Sequence, residues 1–207
     1  MTKTKIFAPA MLLGSLISAS ALAADNPMNR IGLEQNTYVG CLMAKGPTSS
    51  ITSLERVATE CGYDHGVTTE EFVKIYSPLV GTDPLLPSAK RMASHAAVFT
   101  AYEFSYFERT DSALALATSY ASADASIAKL EEEAIAKLDP KSESGKALLS
   151  GLSATRASLK YWAGRSVPYR QGQVMAGSAM MGGVIGDGGA GAAAAASVGA
   201  YYVARTR

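Results

Sequence analysis

From Ser88 to Arg109 the chain meets neither Gly nor Pro, and His95, Phe99, Tyr102 and Tyr106 recur at i, i+4, i+7 and i+11. That spacing sets four rings on one face of a long helix. Phe104 and Phe107 fall on a neighbouring strip. A further helix is expected from Asp111, over Ser112 to Leu138, with Leu114, Ala117, Tyr120, Ala121, Ile127, Leu130, Ala134, Ile135 and Leu138 as its apolar positions. Asp139-Pro140 turns the chain. Residues 146–163 then repeat the pattern with Leu148, Leu149, Leu152, Leu159 and Trp162 facing inward. The chain is rich in Ala, which favours helices. No stretch alternates with the period of two that a half-buried strand needs. Long helices joined by short turns point to an all-α protein, an antiparallel bundle.

Three shorter helices are expected ahead of the bundle. The first covers residues 33–45 and stops at Gly46-Pro47. The second starts at the capping box Thr52-Ser-Leu-Glu55 and runs through Cys61 to Gly62. The third starts at Thr68-Thr-Glu-Glu71 and ends before Pro78, burying Phe72, Ile75 and Tyr76. Cys41 and Cys61 are the only two cysteines. In an exported protein such a pair forms a disulfide, worth about 3 kcal/mol by the chain-entropy argument. It would staple the first two helices. Zinc wants four ligands, and only His65 and His95 could add nitrogen, so no metal or other cofactor is expected.

The first residues give the address. Lys3 and Lys5 precede an apolar run from Ile6 to Ala19, and Ala21-Leu-Ala23 closes it with small side chains. Residues 1–23 therefore read as a secretory signal peptide, with Ala24 as the mature start. The expected location is the periplasm or outer membrane of a Gram-negative bacterium, or the medium outside it. Removing Lys3 and Lys5 from 19 basic residues leaves 17 against 18 acidic ones. That balance gives no case for nucleic acid, and none for general attraction to anionic lipid.

Residues 24–165 form the expected helical domain, and the composition shifts after it. From Gln171 to Ala204 the sole charged residue is Asp187. Nine of the chain's 19 Gly lie between Gly172 and Gly199. Ser178, Gly182, Gly186, Ala190 and Ala194 recur every four residues and would line one helix face. Small residues at that spacing let helix backbones approach closely. Asp187-Gly188-Gly189 could turn the segment into a helical hairpin. A run from Ala179 to Gly191, Ala-Met-Met-Gly-Gly-Val-Ile-Gly-Asp-Gly-Gly-Ala-Gly, resembles the glycine-zipper segment of bacterial envelope proteins, including outer-membrane lipoproteins and surface antigens. The resemblance covers the segment 171–204 and implies membrane association. The chain lacks the lipidation Cys of the lipoprotein members. Bilayer entry or self-association, a packed hairpin, and a loose tail are the three readings of the segment.

No Gly-x-Ser-x-Gly elbow, phosphate-binding loop, His-Glu-x-x-His pair or Cys-x-x-Cys is present. His95 with Tyr102 and Tyr106 marks a candidate ligand site, against the simpler reading of core packing. Asp64-His65 sits in a turn-like loop. Glu131, Glu132 and Glu133 read as a solvated face. The expectation is an exported envelope protein of structural or interaction type rather than an enzyme, associating with membrane, an envelope partner or itself. Two alternatives stay open: a secreted membrane-active toxin shielded by its bundle, and a periplasmic ligand binder or hydrolase.

Overall fold

The computed structural model describes residues 25–184 apart from Pro47, His65, Gly81, Thr82 and Pro84. The expected signal peptide, His65 and the segment from residue 185 onward lie outside the described residues. The described chain is all-α. Eight helices follow in order: α1 Asn29–Ala44, α2 Ser50–Thr59, α3 Thr69–Val80, α4 Ser88–Arg91, α5 Ala101–Leu116, α6 Tyr120–Lys137, α7 Glu143–Ala163 and α8 Tyr169–Val184, with a 3-10 helix at Ala93–Val98 between α4 and α5.

Helix α7 is the hub. Residues Leu148 to Thr155 are buried without interruption, so neighbours cover every side of it. Small residues make this possible. Gly32 of α1 has the Ser153 carbonyl 2.7 Å from where a Cβ would stand, and Gly183 of α8 has the Ser150 carbonyl at 2.5 Å. Helix α1 runs parallel to α7. The Asn29 carbonyl accepts from Ser153 Oγ at 3.4 Å, and Asn36 Nδ2 donates to the Ala157 carbonyl at 2.9 Å. Helices α6 and α8 flank α7 on its other faces.

The core falls into two clusters. The larger joins Tyr106, Phe107, Leu114, Ile127, Leu130, Leu148, Leu149, Leu152, Leu159, Met180 and Val184 from α5 to α8. The smaller joins Val39, Leu42, Leu54, Val57, Phe72 and Val80 of α1 to α3 with Trp162 and Met175. The Cys41–Cys61 disulfide lies in this second region, with its Cα atoms 5.9 Å apart. Cys61 sits two residues beyond α2, not within its last turn as the sequence pattern suggested.

Three further expectations need correcting. The long helix over Ser88–Arg109 is broken. Thr100 accepts from the Glu103 N–H at 3.2 Å while Glu103 Oε2 accepts from the Thr100 N–H at 2.8 Å. This reciprocal cap starts α5 afresh at Ala101. The helix over Ser112–Leu138 is also two. Asp111 lies inside α5 rather than at a helix start, and Ser119 caps α6 through the Ser122 N–H at 3.2 Å. Asp111 instead caps α4 from a distance, accepting from the Ser88 and Ala89 N–H groups at 2.9 Å each. Finally, Pro78 does not stop α3, which continues to Val80. Burial of Val80 in the second cluster outweighs the one backbone bond that a proline omits.

The boundary drawn between residues 165 and 171 runs through a continuous core. Met175, Ala176, Ala179, Met180, Met181 and Val184 of α8 are buried. The Gly-rich segment thus begins as a core helix.

Candidate functional site

Of the small-residue face, Ser178 and Gly182 belong to α8 and are buried within the domain. Ser178 Oγ accepts from Arg91 Nη1 at 3.0 Å. Arg91 is only 5% exposed. Burial lowers its pKa to about 10, against the opposing pull of Asp83 and Asp111. The Arg91–Ser178 bond ties α4 to α8. Gly186, Ala190 and Ala194, with the Asp187 turn, lie outside the described residues.

The ring face of His95, Tyr102 and Tyr106 does not assemble as drawn. His95 stands on the 3-10 turn, where its Nδ1 shares a 3.0 Å hydrogen bond with the neighbouring Ser94 Oγ. The break at Thr100 takes it out of register with α5. Among the described residues, no carboxylate is bonded to His95, so the Ser94–His95 pair lacks the third group that would orient a catalytic base.

Tyr102 and Tyr106 do meet, at 3.1 Å between hydroxyls, and they converge on Glu133 of α6. Tyr102 donates to Glu133 Oε1 at 3.0 Å, and the Arg109 guanidinium binds both carboxylate oxygens. Lys137 adds a pair at 3.6 Å. Bonds from Arg109 lead in pulling the Glu133 pKa down to about 2, partial burial opposes them, and Tyr102 and Lys137 add to the fall. Burial, then the bond with Tyr102, raises the Tyr106 pKa. Tyr102, Tyr106 and Arg109 of α5 all reach Glu133 of α6, so the network clamps the two helices together.

The acidic run 131–133 is therefore not a solvated face. Glu132 is exposed, but Glu131 is buried at 4%. Glu131 accepts from Arg156, and Asn26 Nδ2 donates both to it and to the Leu149 carbonyl. Arg156 also reaches Asp124 at 3.0 Å. Sequence reasoning missed Asn26, Arg109 and Arg156, because each pairs with a residue far away in the chain.

Two concavities stand out among the described residues. A cleft of about 540 Å³ runs between α1 and α7, lined by Asp25, Asn29, Leu33, Asn36, Arg156 and Lys160 among others. A groove of about 130 Å³ lies between the α4 approach, α5 and α8, with Leu85, Leu86, Leu114, Ala115, Val174 and Gly177 on its walls. Among the described residues no group of three or more His, Cys, Asp or Glu is placed to hold a metal ion. No described helix is long and apolar enough to cross a membrane. Comparison with family models, with characterised proteins and with solved structures gives no match.

Proposed function

We propose that this is an exported envelope protein that works by association rather than by catalysis. The helical domain is the platform, and the chain after Val184 is the arm that joins it to membrane or to another helix. One observation carries the reading. Helix α8 has core residues up to Val184, and residues 185–204 follow directly with Asp187 as their sole charge. An arm so poor in large apolar side chains has little area for the hydrophobic effect. Its strongest available interaction is close backbone packing through Gly and Ala.

Fractionation of cells making the full chain, or a chain ended after Val184, tests this. The full chain should sediment with membrane or run as an oligomer by light scattering. The shortened chain should be soluble and monomeric with its helical signal retained. Identical behaviour of the two would overturn the reading. A second reading, ligand binding, draws on the α1–α7 cleft, whose volume falls in the range of small-molecule sites. There, a rise in melting temperature with short zwitterionic peptides, lost in Lys160→Glu, is the supporting result.

A further inference from the structure

The cleft between α1 and α7 carries an uncompensated charge at each end. Asp25 is exposed at one end. Its neighbour Asn26 donates through Nδ2 to the Leu149 carbonyl at 2.8 Å, so Asp25 stands level with that part of α7. Lys160 is exposed at the other end, eleven residues beyond Leu149 on the same helix. At about 1.5 Å of rise per residue, the two ends are roughly 16 Å apart. Neither Asp25 nor Lys160 has a hydrogen bond or ion pair among the described residues. Arg156, the other cation on the wall, is different. Its Nε donates to Asp124 at 3.0 Å and its Nη1 to Glu131, so its charge is taken up inside the protein. Between the ends, Asn29, Leu33 and Asn36 line the cleft at i, i+4 and i+7 of α1. Asn36 Nδ2 is spent on the Ala157 carbonyl at 2.9 Å, which leaves its Oδ1 as an acceptor. The Asn29 amide has no partner among the described residues and offers both donors and an acceptor. Leu33, 67% exposed, adds the one large apolar surface between them.

We propose that this cleft binds an extended peptide with free ends, about four residues long, its α-ammonium on Asp25 and its carboxylate on Lys160. The inference rests on the reading of the cleft as a ligand site, and it adds the class, length and direction of the ligand. Two opposite charges held apart by rigid helices select a molecule with opposite charges at the same separation. A free amino acid carries both charges on neighbouring atoms and reaches one end only. Four extended residues cover about 14 Å, and the hydrogen bonds at the two ends take up the remainder. The peptide's own amides meet Asn29 and Asn36, and an apolar side chain in its middle meets Leu33. A peptide lying the other way would set like charges together at both ends, which is unfavourable. The cleft volume of about 540 Å³ falls within the range of small-molecule sites.

Calorimetric titration of the purified protein with Ala-Leu-Ala-Ala tests this, beside its N-acetylated form, its C-amidated form and the dipeptide Ala-Leu. Each capped form should bind about threefold more weakly or worse, the size of one exposed ion pair, and so should the dipeptide. Asp25→Asn should weaken the free tetrapeptide by the same factor and leave the N-acetylated form unchanged. Lys160→Gln should do likewise for the C-amidated form. Both substitutions fall on exposed side chains, and melting curves confirm that each variant folds. The crossed pattern, with Asp25 sensing the amide cap and Lys160 the acetyl cap, would overturn the proposed direction. Binding that neither cap nor either substitution alters would overturn the proposal and leave the cleft as a ligand site of another chemistry. Absence of binding by every peptide, in calorimetry and in melting temperature alike, would overturn both the proposal and the ligand-binding reading.

Discussion

The two clusters of the core are built by different means. In the α5–α8 region Leu148, Leu149, Leu152 and Leu159 of α7 are each fully buried against apolar neighbours from α5, α6 and α8. Each such side chain is worth about 1.5–3 kcal/mol. Clamps at Glu133–Arg109 and Arg156–Asp124/Glu131 join the helices to one another. The α1–α3 region has fewer large side chains and borrows Trp162 and Met175 from α7 and α8. It adds a covalent link instead. A small core gains little from area alone, and a disulfide raises stability mainly by restricting the unfolded chain. The difference teaches that the N-terminal helices depend on the bundle, whereas the bundle closes most of its own core.

The harshest way to break this comparison is to end the chain after Arg170. Loss of α8 removes Met175 from one cluster and Met180, Met181 and Val184 from the other. We expect no cooperative thermal transition in that chain and a normal one when it ends after Val184, read by circular dichroism.

Replacing Cys41 by Ser should cost about 3 kcal/mol and act unevenly. Amide exchange should quicken in α2 and α3 while α6 and α7 stay protected. Uniform loss of protection would show that the two regions unfold as one.

Gly183→Ala tests the close contact of α8 with α7. The added methyl has backbone at 2.5 Å, so about 1–3 kcal/mol should be lost, measured by urea denaturation. Gln35→Met should go the other way. Gln35 is fully buried, and neither atom of its amide has a partner among the described residues. Removing that polar group should stabilise the α1 side by about 1–2 kcal/mol.

The smallest effect concerns Glu133. Its carboxyl ordinarily titrates near 4.5 and is held near 2 in the fold. The stabilisation it supplies is complete above pH about 4.5 and is lost as pH falls toward 2. Because the pair keeps contact with solvent, the loss should be about 1 kcal/mol or less. Glu133→Gln should flatten that part of the stability–pH curve.

Local signals in the sequence were good guides to the elements that they govern. The Thr68 cap, the inward face of α7 and the pairing of Cys41 with Cys61 were all legible. The break at Thr100 left a signal too, since Thr100-Ala-Tyr-Glu103 is a capping box. An unbroken run free of Gly and Pro hid it, because the ring periodicity alone favours one helix. The partners of Glu131 and Glu133 left no such signal. Arg156 and Arg109 lie 25 and 24 residues away, and no periodic pattern reports a pairing between helices. The role of α8 was obscured for a related reason. Met, Ala and Gly offer little area as single residues, and they become core by packing backbone against backbone.

The parallel arrangement of α1 and α7 has a consequence for the order in which the molecule forms. Asn36 meets Ala157 across 121 residues of chain, so α1 cannot dock until most of the polypeptide has been made. Contacts this distant in sequence slow folding, because loop closure must be met before they reward it. Cys41 and Cys61 are separated by 20 residues and can meet far sooner. The N-terminal helices are thus held near one another during the interval before Trp162 and Met175 arrive to complete their core.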